Sequence, residues 1–191
     1  MLLACACSSN SNTVGVTDGG PSDGASPDAG PPAQAGVSVA ITPGNNSDTQ
    51  CPIGAGDTWS IGGEPTLEPV PNGQSSNGAT VTVSCSVAPQ ATGFAVSGDV
   101  SLAGQGSFTV SGTFDGTTQA QQDITASFGA ANGDGSWMQS TCTVTFPNPG
   151  MGVAAGRVWA QVDCPTMVDG VTHTQCDGSA QFRLENCATA P

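Results

Sequence analysis

From Val37 to Leu184 the apolar side chains recur at every second residue, and this rhythm restricts the chain more than any other feature. Val37, Val39 and Ile41 alternate with Ser38, Ala40 and Thr42. Val81, Val83, Cys85 and Val87 alternate with Thr82, Ser84 and Ser86. The pattern returns at Phe94, Val96, Val100 and Leu102, at Phe108, Val110 and Phe114, and at Cys142, Val144 and Phe146. It closes with Val158, Ala160, Val162 and Cys164, then Ala180, Phe182 and Leu184. In an extended chain successive side chains point to opposite faces, so period two with Ser and Thr between makes strands with one dry and one wet face. Between the runs lie Asn72-Gly73, Asn77-Gly78, Asp115-Gly116, Asp169-Gly170 and Asp177-Gly178, which supply the positive φ that tight reversals need.

Strands of this length without intervening helices predict an all-β domain over 37–191: an antiparallel β-sandwich or a jelly-roll-like barrel. The segments 94–102 and 108–114 share an apolar-x-Val-Ser-Gly pattern and read as neighbours in a meander. Ala120, Ile124 and Phe128 fit a helix as well as a strand, and Thr125 and Ser127 between them favour the strand. Pro65, Pro69 and Pro71 break 63–78 into a long connection.

Charge excludes several functions. Two cationic side chains, Arg157 and Arg183, stand against fifteen acidic ones, giving a net charge of −13. Nucleic-acid binding draws its affinity from Lys and Arg on phosphates, and a polybasic grip on anionic lipid needs the same residues. Neither partner is expected. The absence of lysine removes P-loop and Schiff-base chemistry. No run of about 20 apolar residues can span a bilayer as a helix.

Cys51, Cys85, Cys142, Cys164, Cys176 and Cys187 lie in the β-region. Their spacing lacks the close pairs of a zinc site, so three disulfides are expected. Fifteen pairings are open, and the preferred one is sequential: Cys51–Cys85, Cys142–Cys164 and Cys176–Cys187. Disulfides persist in oxidising compartments, which places the domain outside the cytosol.

The first residues agree. Leu2-Leu3-Ala4-Cys5 resembles the lipobox of bacterial lipoproteins, with Cys7 ending a second register that fits less well. The resemblance implies a diacylglycerol on the Cys5 thiol, cleavage before it, and in-frame apolar codons upstream of Met1 as the rest of the signal peptide. Residues 1–7 are thus the anchor segment. Residues 8–36, almost entirely Ser, Asn, Gly, Asp, Pro, Ala and Thr, read as a disordered spacer between lipid and domain. Neither Ala6 nor Ser8, the residues after the two cysteines, is the Asp that marks inner-membrane retention, so the expected location is the outer membrane.

Candidate chemistry is sparse. His173, the only histidine, lies in a loop between two cysteines, and no Gly-x-Ser-x-Gly elbow accompanies it. No catalytic residue is assigned. Asp99, Asp123, Asp163 and Glu185 lie in or beside strands, where two facing one groove would suit glycoside hydrolysis. Arg157, Asp163, Arg183 and Glu185 are expected as cross-strand ion pairs. Asn132-Gly133-Asp134-Gly135-Ser136 has the composition of a calcium turn without the ligand spacing, so it reads as a plain hairpin turn and no cofactor is assigned. Trp159 falls on the wet face of its strand and is the one candidate ligand contact, as a platform for a sugar ring. The alternative is that it packs under a loop. The reading is therefore a lipid-anchored envelope protein whose β-domain has a structural role or binds an envelope protein. The rival is a carbohydrate-binding module or polysaccharide hydrolase acting outside the cytoplasm.

Overall fold

The computed structural model describes residues 30–44, 51–116 and 120–190. Cys5, Cys7 and the spacer through residue 29 lie outside the described residues. The strands are β1 (Gln34–Thr42), β2 (Asp57–Ile61), β3 (Val70–Pro71), β4 (Ser75–Ser76), β5 (Ala79–Gln90) and β6 (Gly93–Leu102). They continue with β7 (Gly106–Phe114), β8 (Gln121–Gly129), β9 (Ser136–Thr145), β10 (Gly152–Ala154), β11 (Arg157–Asp169) and β12 (Gln175–Glu185). One 3-10 turn, Ala131–Gly133, separates β8 from β9, and no α-helix occurs among the described residues. Strand pairing begins at Gln34, three residues before the boundary expected from composition, because Ala35 already points into the core.

All pairing between strands is antiparallel, in the order β2-β1-β12-β11-β9-β8-β7-β6-β5-β4, with β10 beside β11 and β3 beside β1. From β5 to β9, and again from β11 to β12, each strand reverses onto its predecessor, so the connections are those of a meander. The segment 121–129 is a strand, as its Thr and Ser alternation predicts. The sheet curls until it is nearly a closed barrel. Phe108 of β7 meets Phe182 of β12 across the interior at 5.4 Å between ring centroids, and Phe114 stands 6.4 Å from Phe182.

Closure rests on the long proline-broken connection. Asn72 N–H donates to the Ala33 carbonyl at 2.8 Å, beside the β1–β3 pairs. From the same segment, Gly73 N–H donates to Val81 O and the Gln74 carbonyl accepts from Val81 N–H, both at 2.9 Å. The Asn72 side-chain oxygen accepts from Val83 N–H at 2.9 Å. Further along β5, Ala188 bonds both ways with the strand, accepting from Val87 N–H at 2.8 Å and donating to Cys85 O at 3.0 Å. These bonds cover an edge that would otherwise invite pairing with another chain.

The interior is filled by side chains. Trp137, Phe108, Phe114, Phe128, Phe182, Met167 and Leu184 are all fully buried. Room for them comes from two glycines that sit in the apolar register of their strands. A Cβ on Gly98 would lie 2.6 Å from Leu184 Cδ1, and one on Gly178 would collide with the Met167 thioether and approach the Phe128 ring to 3.2 Å. Gly178→Val is expected to cost about 1–3 kcal/mol through overpacking. Adding Met167→Ala should recover part of that loss, and urea denaturation of the single and double variants measures it. A double variant that merely sums the two losses would show that the thioether does not occupy this space.

The six cysteines form three disulfides, Cys51–Cys176, Cys85–Cys187 and Cys142–Cys164. Of the sequential pairing only Cys142–Cys164 is found. Those two residues lie directly opposite in the β9–β11 ladder, which places Val144 across from Val162. The other two pairs are corrected for one topological reason. The first strand joins the last, with Thr42 opposite Asp177, so the chain after β1 reaches Cys176. The tail after β12 runs beside β5 and brings Cys187 to Cys85.

Candidate functional site

The outer face of β11 and β12 carries the most concentrated chemistry of the domain. In β11 the inward Val158 and Ala160 force Arg157 and Trp159 outward, and in β12 the inward Leu184 does the same for Arg183 and Glu185. Cross-strand register sets Trp159 opposite Arg183 on one side and Gly152 of β10 on the other. Glu185 and Arg183 in turn face Gln34 and Gly36 of β1. The result is a floor four strands wide.

Two loops wall it. The backbone of Leu67 crosses directly above Gly36, where any Cβ would collide with the Leu67 carbonyl. On the far side Gly150 lies against the Trp159 ring, with a Cβ there placed 3.0 Å from Cζ3. Above Gly152 the space is open. On the Gly150 side of this floor lies a groove of about 290 Å³, lined by Met151, Arg157, Trp159, Arg183 and Glu185 among others.

Arg183 and Glu185 form an ion pair, Nη2 to Oε1 at 2.6 Å, with Nε donating to the same oxygen at 2.8 Å. The Arg183 guanidinium also stands 5.3 Å from the centroid of the Trp159 ring, within cation–π range. Gln34 Nε2 donates to Glu185 Oε2 at 3.2 Å. Both partners of the ion pair are about a quarter exposed, so its contribution to stability is small. It runs along one strand, which corrects the expected cross-strand pairing: residues two apart share a face, and Glu185 lies nearest. Asp163 instead accepts from Gln161 Nε2 at 3.1 Å. Arg157 is exposed and makes no ion pair among the described residues.

Trp159 meets the alternative weighed for it, packing in part under a loop. It lies on the outer face, half-buried, and is partly covered by the loop at Gly150. Its indole Nε1 is buried without a hydrogen-bond partner, as is that of Trp59. Trp159→Phe removes an unpaired donor but also trims the indole to a smaller phenyl ring, so the two effects oppose and thermal unfolding should stay close to the wild-type temperature. A clear drop would mean that the packing of the indole under the Gly150 loop outweighs its unpaired N–H. Trp137 differs, being buried in the core with Nε1 donating to Thr174 Oγ1 at 3.2 Å.

The four carboxylates do not converge. Asp163 lies opposite Ser179, six residues along β12 from Glu185, a separation of about 20 Å. Asp99 and Asp123 lie on the opposite wall, on β6 and β8. Asp99 faces Thr109 and hence Ser127, four residues beyond Asp123 and two strands away, about 15 Å in all. Glycosidase pairs stand within about 9.5 Å. Among the described residues no group of three or more His, Cys, Asp or Glu could hold a metal ion. At the expected turn near Gly133, the backbone closes on itself by Asp134 N–H to Ala131 O at 3.2 Å, and Asp57 Oδ2 accepts from Ala131 N–H at 2.7 Å.

His173 lies in the turn between β11 and β12, which is organised by Asp169. That buried carboxylate accepts from Thr172 N–H at 2.6 Å, Thr172 Oγ1 at 2.8 Å and Val171 N–H at 2.9 Å, with Ser136 N–H at 3.4 Å. The Thr172 backbone and hydroxyl bonds, followed by that of Val171, hold its pKa down to about 2 from 3.8. A carboxyl depressed on folding contributes stability above the unfolded pKa and loses it as pH falls through the folded one. Asp169→Asn should therefore flatten the acid limb of the stability profile between about pH 4 and pH 2, as read by chemical denaturation across that range. An unchanged limb would contradict the assignment.

Comparison with protein-family models, with curated proteins and with solved structures finds no match to this chain. No helix among the described residues is long and apolar enough to cross a membrane.

Sequence reasoning singled out Trp159 and both arginines but missed the groove. Its wall comes from Gly150, in the connection between β9 and β10, which lies against the Trp159 ring. The missing side chain at Gly152, beside Trp159 in the ladder, was the local signal of open space there.

Proposed function

We propose that this protein is a lipid-anchored component of the bacterial cell envelope, held at the outer membrane through Cys5, whose β-domain is a non-catalytic binding module. The observation that carries the binding role is the groove. Both cations of a chain with net charge −13 lie in it beside its one half-buried tryptophan. Ligand sites pair an apolar surface with a few placed polar groups, and about 300 Å³ is the lower end of their usual volume. The three disulfides support a place outside the cytosol, where such bonds persist. The lipobox resemblance of Leu2-Leu3-Ala4-Cys5 supports the anchor, which two or more acyl chains would make stable. The carboxylate separations favour binding over hydrolysis.

A photo-cross-linking residue at Gly152, where the groove is open, should capture a discrete envelope component in intact cells. The same residue at Asp99, exposed on the opposite wall, should not. Equal capture at both positions would contradict the groove as the site. Radioactive palmitate should label the wild-type protein and be lost in Cys5→Ser, and label retained in that variant would contradict attachment there.

A further inference from the structure

Resting on the groove as a binding site, we infer that its ligand is a glycan bearing one carboxylate among otherwise neutral sugar residues, with the carboxylate on Arg157. Three features select this chemistry. Arg157 is exposed and unpaired among the described residues, so its planar fork of donors is free for a bidentate acceptor. Arg183 is already committed to Glu185 and to the Trp159 face. Glu185, which lines the groove and whose two oxygens accept from Arg183 and Gln34, keeps further lone pairs for ring hydroxyls. The partly covered Trp159 ring supplies an apolar surface for the C–H face of a sugar.

The field of the whole molecule sets an upper limit on ligand charge. Two guanidiniums and one carboxylate make the groove locally positive, yet the chain carries −13 overall. A densely charged polymer such as a sulfated glycan or a polyphosphate would be repelled over its length. A ligand with a single acidic group meets the local attraction and little of the repulsion. The volume of about 290 Å³ agrees with one sugar residue seated and its neighbours leading out over Gly152.

The test uses a disaccharide of glucuronic acid and N-acetylglucosamine, and its counterpart with the carboxylate converted to an amide. Both are titrated into 15N-labelled protein while the three tryptophan indole N–H signals are followed. The acid should shift the Trp159 signal and bind at least tenfold more tightly than the amide. Arg157→Gln, a change at an exposed position, should reduce that preference to near unity while the indole spectrum remains that of the folded protein. The preference should also shrink as salt is raised. Equal affinity for acid and amide, or an undiminished preference in Arg157→Gln, would overturn the inference and leave the groove standing as a site for neutral ligands. No shift with either sugar would overturn it too. Capture at Gly152 decides the broader reading independently.

Discussion

Replacing Cys51 and Cys176 together by alanine is expected to lower the free energy of unfolding by about 4–5 kcal/mol. The bond joins residues 125 apart in sequence, and cross-linking so distant a pair removes much of the freedom of the unfolded chain. Cys142 and Cys164 are only 22 apart, and their replacement should cost about 3 kcal/mol. The same ordering follows from position. Cys51–Cys176 ties the segment after the first strand to the start of the last, a contact that the ladder must otherwise hold alone. Cys142–Cys164 joins strands already paired. Because single domains are typically stable by about 5–15 kcal/mol, loss of the long bridge should leave the protein near its unfolding threshold. Urea denaturation of the two double variants checks the ranking. A greater loss from the short bridge than from the long one would contradict the topology.

Phe182→Ala should be the most damaging single substitution in the core, at about 3–5 kcal/mol. The side chain is completely buried at the centre of β12, in contact with Phe108 and Phe114 from the opposite wall. Truncation removes both aromatic contacts and leaves a cavity between two walls pinned by disulfides. The surroundings therefore have little freedom to collapse into it, and cavity cost rises as relaxation falls. Denaturation of the variant at unchanged m-value is the measurement. A cost below about 1.5 kcal/mol would mean that the walls close up and that the barrel is softer than its cross-links imply.

Much of this fold was legible because strand periodicity is a local property. Val158, Ala160 and Val162 point inward for the same reason whatever strand lies beside them, and Asp169-Gly170 marks a reversal without help from afar. Even the Cys142–Cys164 bond was accessible, since its partners belong to strands adjacent in the sheet. What the residues could not disclose was closure. Nothing local in Gln34–Thr42 says that it will pair with Gln175–Glu185, and two disulfides were misassigned for that one reason. The glycines Gly98 and Gly178 looked like gaps in the alternation, yet each is small because a side chain from elsewhere fills its place. The groove follows the same division. Arg157 and Trp159 were visible as outward residues, whereas the cover that Gly150 gives Trp159 follows from strand pairing, with β10 placed beside β11 and Gly152 opposite Trp159.

The expected export, anchoring and cross-linking meet in one experiment: peptide mass mapping, without reduction, of the protein isolated from its native membranes after thiol alkylation. The account predicts Cys51 linked to Cys176, Cys85 to Cys187 and Cys142 to Cys164, together with an amino-terminal peptide that begins at a lipid-modified Cys5. Six alkylated cysteines in the domain and an unmodified peptide running through Cys5 would contradict it.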